Sequence, residues 1–274
     1  MTDPFKIIEP TVISFSGGRT SAYMLWRVLQ SNNGLPDEAI VCFANTGKEE
    51  EATLRFVRDC SLNWDVPIVW LEWKEEKPGF DVVDFDTASR NGEPFERLII
   101  KRQFLPNPVT RFCTTELKVR PIHKYLKSLG WDHQEGSDWV GIRADEMRRA
   151  AKMSRDRTPL VTAGVTKEIV GQFWREQPFD LELPNMNGVT MHGNCDLCFL
   201  KGANQTQSLI SEKPERALWW AKMETLVQTK ERTFGDGARF RKDRPSYQSM
   251  YEYALSQNTF DFDGDESIPC FCGD

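Results

Sequence analysis

Apolar and polar positions repeat along the first two thirds of the chain in two alternating periods. Thr11-Val12-Ile13-Ser14-Phe15 reads as a strand, and after a glycine turn Ala22, Leu25, Val28 and Leu29 recur at the spacing of one helical face. Ala39-Ile40-Val41-Cys42-Phe43 reads as a second strand, followed from about Glu49 by a helix whose inner face carries Thr53, Phe56, Val57 and Cys60. Pro67-Ile68-Val69-Trp70-Leu71 supplies a third. A fourth, Asp138-Trp139-Val140-Gly141-Ile142, follows a helix carrying Ile122, Tyr125, Leu126 and Leu129. Strands alternating with helices predict an α/β fold with a doubly wound, mostly parallel sheet. A ligand of such a sheet sits at the C-terminal ends of its strands, which makes the segments after strands one, two and four the candidate site. Beyond about Pro178 the pattern gives way to Pro-, Gly- and Asn-rich stretches around one strong helix, from Pro214 to about Lys230, with Leu218, Ala221 and Leu226 on its face. The expected division is an α/β domain over residues 1–177 and a C-terminal cap over residues 178–274.

Composition narrows the class. The 274 residues, 39% hydrophobic and 28% charged, suit an ordinary globular chain. Its apolar runs fall far short of the roughly 20 residues that cross a bilayer, and its first residues show no secretory pattern, so a cytoplasmic location without membrane contact is expected. A net charge of -6 offers no overall attraction to nucleic acid or anionic lipid. Arg239, Arg241, Lys242 and Arg244 form one local basic segment, either a solvated loop or a surface for a nucleic-acid acceptor. The acidic run Asp261 to Glu266 has its glycine at the wrong place for a calcium loop and reads as a surface turn.

Seven cysteines in such a chain read as thiols, ligands or nucleophiles before disulfides. Cys42 and Cys60 lie in apolar segments and read as core. Cys195-Asp196-Leu197-Cys198 is a C-x-x-C, and thiolates so spaced can converge with others on one cluster or one zinc. Cys113, Cys270 and Cys272 are the remaining candidates. His123, His133 and His192 form no ligand or catalytic pattern and read as structural, although His192 stands three residues before Cys195.

The turn after the first strand, Ser16-Gly17-Gly18-Arg19-Thr20-Ser21, can bring backbone N–H groups and a helix dipole against an anion, with Ser16, Thr20 and Ser21 adding hydroxyls. A plain βα turn is the alternative. Arg111, Lys118, Arg143 and Arg149 suit a multiply charged anion, since guanidinium groups pair with phosphate or sulfate oxygens two at a time and an ammonium adds a point charge. Neither of the two commoner glycine-rich phosphate loops is present.

Ser-Gly-Gly-x-x-Ser after strand one resembles the pyrophosphate loop of the adenine nucleotide alpha hydrolase superfamily. Three further segments resemble the phosphoadenosine phosphosulfate (PAPS) reductase family. Asn45-Thr46-Gly47, with Glu51 and Thr53, is similar to its D-T-G and E-T segments, with Asn45 in place of Asp. Arg111 to Ile122 resembles R-x-C-C-x-x-x-K-x-x-P, with Thr114 in place of the second cysteine. Gly141-Ile142-Arg143-Ala144-Asp145-Glu146 with Arg149 resembles G-x-R-x-x-E-S-x-R, with Met147 in place of Ser.

The resemblance implies that the Ser16 to Ser21 loop, Asn45, Thr46, Gly47, Arg111, Lys118, Gly141, Arg143 and Arg149 hold an adenine nucleotide. It also implies a [4Fe-4S] cluster on Cys113, Cys195 and Cys198; zinc in a structural four-cysteine site is the alternative that the residues themselves leave open, and Cys270 or Cys272 offers the fourth ligand. We assign Cys270 to the metal and Cys272, which with Gly273 keeps the Cys-Gly pair of the family's reactive tail, to attack on sulfur. The expected activity is sulfonucleotide reduction with a thiol reductant protein. A second expectation is an ATP pyrophosphatase that uses Mg²⁺ and adenylates an acceptor, such as a nucleic-acid base, for sulfuration. A noncatalytic nucleotide-binding or metal-stapled protein is the third.

Overall fold

The computed structural model describes residues 3–131, 138–186, 190–193, 195–228 and 238–256. Strand β1 (Thr11–Ser14) leads through the glycine turn into helix α1 (Arg19–Asn32), and β2 (Ala39–Asn45) leads into α2 (Glu51–Trp64). Then come β3 (Ile68–Trp73), β4 (Phe80–Val83) and α3 (Glu93–Arg102). A continuous helical stretch follows, made of α4 (Phe112–Thr114), a π-helical turn (Thr115–Val119) and α5 (Arg120–Ser128), before β5 (Trp139–Val140). The five strands form one sheet in the order β4-β3-β2-β1-β5, parallel except for the edge strand β4. This is the expected mostly parallel α/β sheet flanked by helices.

Alternation along the strands divides the core between the two faces. Ile13, Val41 and Phe43 meet α1 and α2 on one face, where Leu25, Val28, Phe56 and Val57 are buried. Val12, Cys42, Ala44 and Leu71 meet Ile122 and Leu126 of α5 on the other. Each large aliphatic side chain so enclosed contributes about 1.5–3 kcal/mol by leaving water. Burial pushes the Cys42 and Cys60 thiols well above their ordinary range, as befits core residues.

After β5 come the short helices α6 (Met147–Ala150) and α7 (Pro159–Thr162), then α8 (Lys167–Arg175), α9 (Ala203–Glu212), α10 (Arg216–Gln228) and α11 (Tyr247–Leu255). Leu197, Phe199, Leu209, Trp220, Met223, Phe240 and Tyr247 bury themselves with Trp73, Phe95, Leu98 and Leu117, so the C-terminal segment shares a core with the end of β3, α3 and the π turn. Two details differ from the periodicity. Leu129 and Leu218, expected on inner faces, are 51% and 44% exposed, because α5 ends before the first and Ala217 and Trp220 carry the burial of α10. The sequence reading does not single out strand β4 or helix α3; β4 is a four-residue edge strand that exposes Val82, and α3 buries Phe95, Leu98 and Ile99 on one face.

A polar clamp closes the C-terminal end of β2. The Asn45 side-chain amide donates to Glu72 Oε1 at 2.6 Å and to the Ser89 carbonyl at 2.8 Å, while its own oxygen accepts the Gly47 N–H at 3.0 Å. Glu72 Oε1 accepts the Ser89 N–H at 2.6 Å, and its Oε2 accepts the Ser89 hydroxyl at 2.6 Å. An aspartate at position 45 would set a second carboxylate against Glu72 inside the protein, which gives the Asn in this chain a physical reason. Asn45→Asp is expected to lower unfolding free energy by roughly 3–5 kcal/mol at neutral pH, the cost of an unpaired buried charge, in a denaturant titration.

At the far end, Glu224 accepts the Phe240 and Tyr247 backbone N–H groups at 3.2 and 2.9 Å, yet burial pushes its carboxyl up to about 7 from an ordinary 4.5. Between those values the folded chain holds a proton that the unfolded chain has lost, so this contribution to stability is full below about pH 4.5 and fades as pH rises through 7. Unfolding midpoints at pH 5 and pH 8 should therefore fall more steeply for the parent than for Glu224→Gln.

Candidate functional site

The turn between β1 and α1 is shaped by what lies beneath it. Gly17 has φ +79°, and a Cβ there would stand 2.6 Å from Thr53 Cγ2 and 3.2 Å from Val57 Cγ2. Thr53 and Val57 are two of the positions expected on the inner face of α2, so the glycine lets the loop sit down on that helix. The Ser16 N–H donates to Ser21 Oγ at 3.2 Å, the two serine hydroxyls lie 2.9 Å apart, and Ser21 Oγ donates to the Gly18 carbonyl at 2.9 Å. Gly141, beyond β5, passes so close to the first turn of α1 that a Cβ would lie 2.8 Å from Ser21 Cα.

A cavity of about 260 Å³ opens between these two segments, lined by Ser16, Ala44, Thr114, Lys118, Gly141 and Arg149 among others. Four of the sequence-derived residues, Ser16, Lys118, Gly141 and Arg149, thus meet on one cavity. Arg157, which the sequence reading did not single out, also lines it and donates from Nε and Nη2 to the Asp138 carbonyl at 3.2 Å. Glu146 holds the neighbouring arginine: it pairs with Arg149 Nη1, and its other oxygen accepts the Arg143 N–H at 2.8 Å.

Arg19, Thr20 and Arg143 face a second, open groove of about 570 Å³ on the other side of the first turn of α1. Arg143 Nη1 donates to Thr20 Oγ1 at 3.1 Å, and Nε pairs with Asp145 at 3.1 Å. Arg19 spends its guanidinium on Asp180, at 2.6 and 2.8 Å, and on the Leu181 carbonyl at 2.7 Å. Arg111 stands at the start of α4 and lines neither space. Asn45 is committed to the clamp, and Gly47, at φ +78°, packs on Gly92.

Cys113, Cys195 and Cys198 line one small pocket, about 20 Å³, whose walls include Phe95, Leu117 and Trp220. Thr114 and Lys118 line both this pocket and the larger cavity, so the π turn separates the two. Thr46 Oγ1 lies 3.5 Å from Cys195 Sγ. Among the described residues no three of His, Cys, Asp and Glu come together as a group able to hold a metal ion. Cys270 and Cys272, like His133 and the acidic run, lie outside the described residues.

Glu49 is the neighbour that sequence reading missed. Its Oε2 accepts both the Thr46 N–H at 2.9 Å and the Thr46 hydroxyl at 2.8 Å, and its Oε1 faces Lys118 Nζ at 3.7 Å. Glu49 stands in sequence beside two further glutamates, and only its burial sets it apart. His192 is buried and shares a 2.7 Å hydrogen bond with Glu212. The basic segment is also partly internal: Arg244 is buried and donates to the Lys201 carbonyl at 2.6 Å, and Arg241 pairs with Asp243. No described helix is long and apolar enough to cross a membrane.

No family model matches the chain, and no solved structure matches it. It is 28% identical over 148 residues to an uncharacterized protein of Methanocaldococcus jannaschii, a stretch covering 54% of this chain and 26% of the archaeal one. Over 202 residues it is 34% identical to the uncharacterized nin region protein ORF290 of Escherichia phage lambda, covering 71% of this chain and 67% of the phage protein. On that similarity the chain belongs to the family of the phage lambda nin region protein ORF290.

Proposed function

We propose that the chain is an enzyme of the PAPS reductase family, which binds an adenine sulfonucleotide in the cavity beside the Ser16 to Ser21 loop and acts in sulfur transfer or reduction. One observation carries the reading: the loop cavity and the three-cysteine pocket share Thr114 and Lys118 as a common wall. A nucleotide bound on the loop side would have its charged end beside the thiols. The apolar part of the cavity, formed by Phe15, Ala44, Val140 and Ile142, suits a purine, while Ser16, Lys118 and Arg149 suit the anionic groups.

Three cysteines lining one apolar pocket are the donor type that an iron-sulfur cluster takes, and because the described residues do not by themselves bring three of them together as a metal-holding group, the cluster would have to draw them in. Cys113, Cys195 and Cys198 would hold it, with Cys270 as fourth ligand. When bound it would supply local charge and a fixed frame for the substrate. The chemical step belongs to the chain's own thiolate, assigned to Cys272. Attack on the sulfonate sulfur forms an S–S bond and breaks the S–O bond, whose electron pair leaves on the nucleotide phosphate. A thiol reductant protein then attacks the cysteine sulfur, releasing sulfite and forming a mixed disulfide that its second thiol resolves.

The groove on Thr20 and Arg143 favours a second reading, an ATP pyrophosphatase that adenylates an acceptor with Mg²⁺. Its 570 Å³ would take a polyphosphate tail or an acceptor across the first turn of α1.

Calorimetry ranks the two. Under the first reading adenosine 5′-phosphosulfate or its 3′-phosphate binds more tightly than Mg-ATP, and Ser16→Ala weakens binding roughly ten-fold through loss of a charge-assisted hydrogen bond. A preference for Mg-ATP selects the second reading, and failure of every adenine nucleotide to bind removes both. The metal is tested separately: anaerobically prepared protein is expected to be brown with about four irons per chain, and Cys198→Ser or Cys270→Ser to lose them while Cys272→Ser keeps iron and loses turnover. One zinc per chain in a colourless preparation that resists reconstitution would make the site a structural staple.

A further inference from the structure

Glu49 carries more than its place in a run of glutamates suggests. Its side chain is 3% exposed, and Oε1 is buried without a hydrogen-bond partner among the described residues. A buried carboxylate oxygen left so costs free energy unless a charge compensates it. The group it faces is the Lys118 ammonium, 3.7 Å away and itself only 20% exposed. That is outside hydrogen-bond range but close enough for an ion pair in a partly desolvated site.

The carboxylate is fixed from the other side as well. Both Thr46 donors meet Oε2, and the backbone of Glu49 bridges to Cys195 while the Asp196 N–H donates to the Lys48 carbonyl at 2.8 Å. Lys48 and Asp196 add a 2.9 Å ion pair. Glu49 therefore stands on a rigid base made of the β2 end and the C-x-x-C segment. Lys118 is a long, flexible cation on the π turn, where the helical ladder is locally widened, and it lines both spaces of the site.

We propose that Glu49 is a positioning residue: its carboxylate holds the Lys118 ammonium at the wall between the loop cavity and the cysteine pocket, where that ammonium meets the anionic end of the bound nucleotide. The inference rests on the nucleotide reading given above and adds a residue to it. Glu49 itself touches no substrate, since it lines neither space.

A double-mutant cycle tests it in the full chain, with adenosine 5′-phosphosulfate and Mg-ATP as probes and calorimetric affinity as the readout. Lys118→Met and Glu49→Gln should each weaken binding by roughly ten-fold, and the double variant should be no weaker than Lys118→Met alone, because Glu49 acts through that lysine. A role of Glu49 in folding alone would make the two losses multiply, to about a hundred-fold, and would overturn the inference. If Glu49→Gln does not fold, Glu49→Asp, which keeps the charge and withdraws it by one methylene, takes its place in the same cycle. Tight binding by the parent together with multiplying losses sinks the positioning role alone. No nucleotide binding by the parent sinks the nucleotide reading and this inference with it.

Discussion

The end of β2 packs against two buried carboxylates, Glu72 and Glu49, and much of the site follows from how each is satisfied. Glu72, in the neighbouring strand, is satisfied by Asn45 and Ser89, which ties β2, β3 and the segment before α3 into one block. Glu49 is satisfied on one oxygen by Thr46 and faces Lys118 with the other. Buried charges are costly unless paired and hydrogen-bonded, so neither segment can shift without breaking a partner. Gly47 completes the turn: its φ of +78° and its contact with Gly92 leave no room for a side chain. The loop on which the cysteines and the π turn converge is thus set by electrostatics before any ligand enters.

That constraint explains which part of the protein the sequence makes legible. Hydrophobic burial repeats with the period of the element, so the β1, α1, β2 and α2 faces could be read residue by residue; Ala22, Leu25, Val28, Phe56 and Cys60 are all enclosed as expected. The π turn is placed by β2 and β3, the edge strand by β3 and α5, and helix α3 by β3 and α10, partners that the pattern within each segment does not name. Residue type could nominate Ser16, Lys118 and Arg149 because an anion site needs their chemistry, with Gly141 added by the family resemblance. It could not show that the Arg19 guanidinium goes to Asp180, 161 positions away. Nor could it find Glu49, whose significance is its burial.

The two spaces beside α1 impose a geometric choice on any ligand. Ser16, Gly141 and Lys118 lie on one side of the first turn, and Thr20, Arg143 and Lys167 on the other. The backbone N–H groups of that turn can serve an anion placed between them, where the helix dipole favours negative charge. A compact sulfonucleotide would keep its charged end on the side of the cysteines, whereas a triphosphate has the length to pass over the turn toward Arg143. The arginine balance fits this division. Arg149, which lines the loop cavity and pairs through Nη1 with Glu146, keeps a buried Nε with no hydrogen-bond partner among the described residues, while Arg143 is already held by Asp145 and Thr20. An anion on the first side gains an uncommitted donor, and one on the second has to displace or join existing partners, so the better-prepared side is the one that adjoins the thiols.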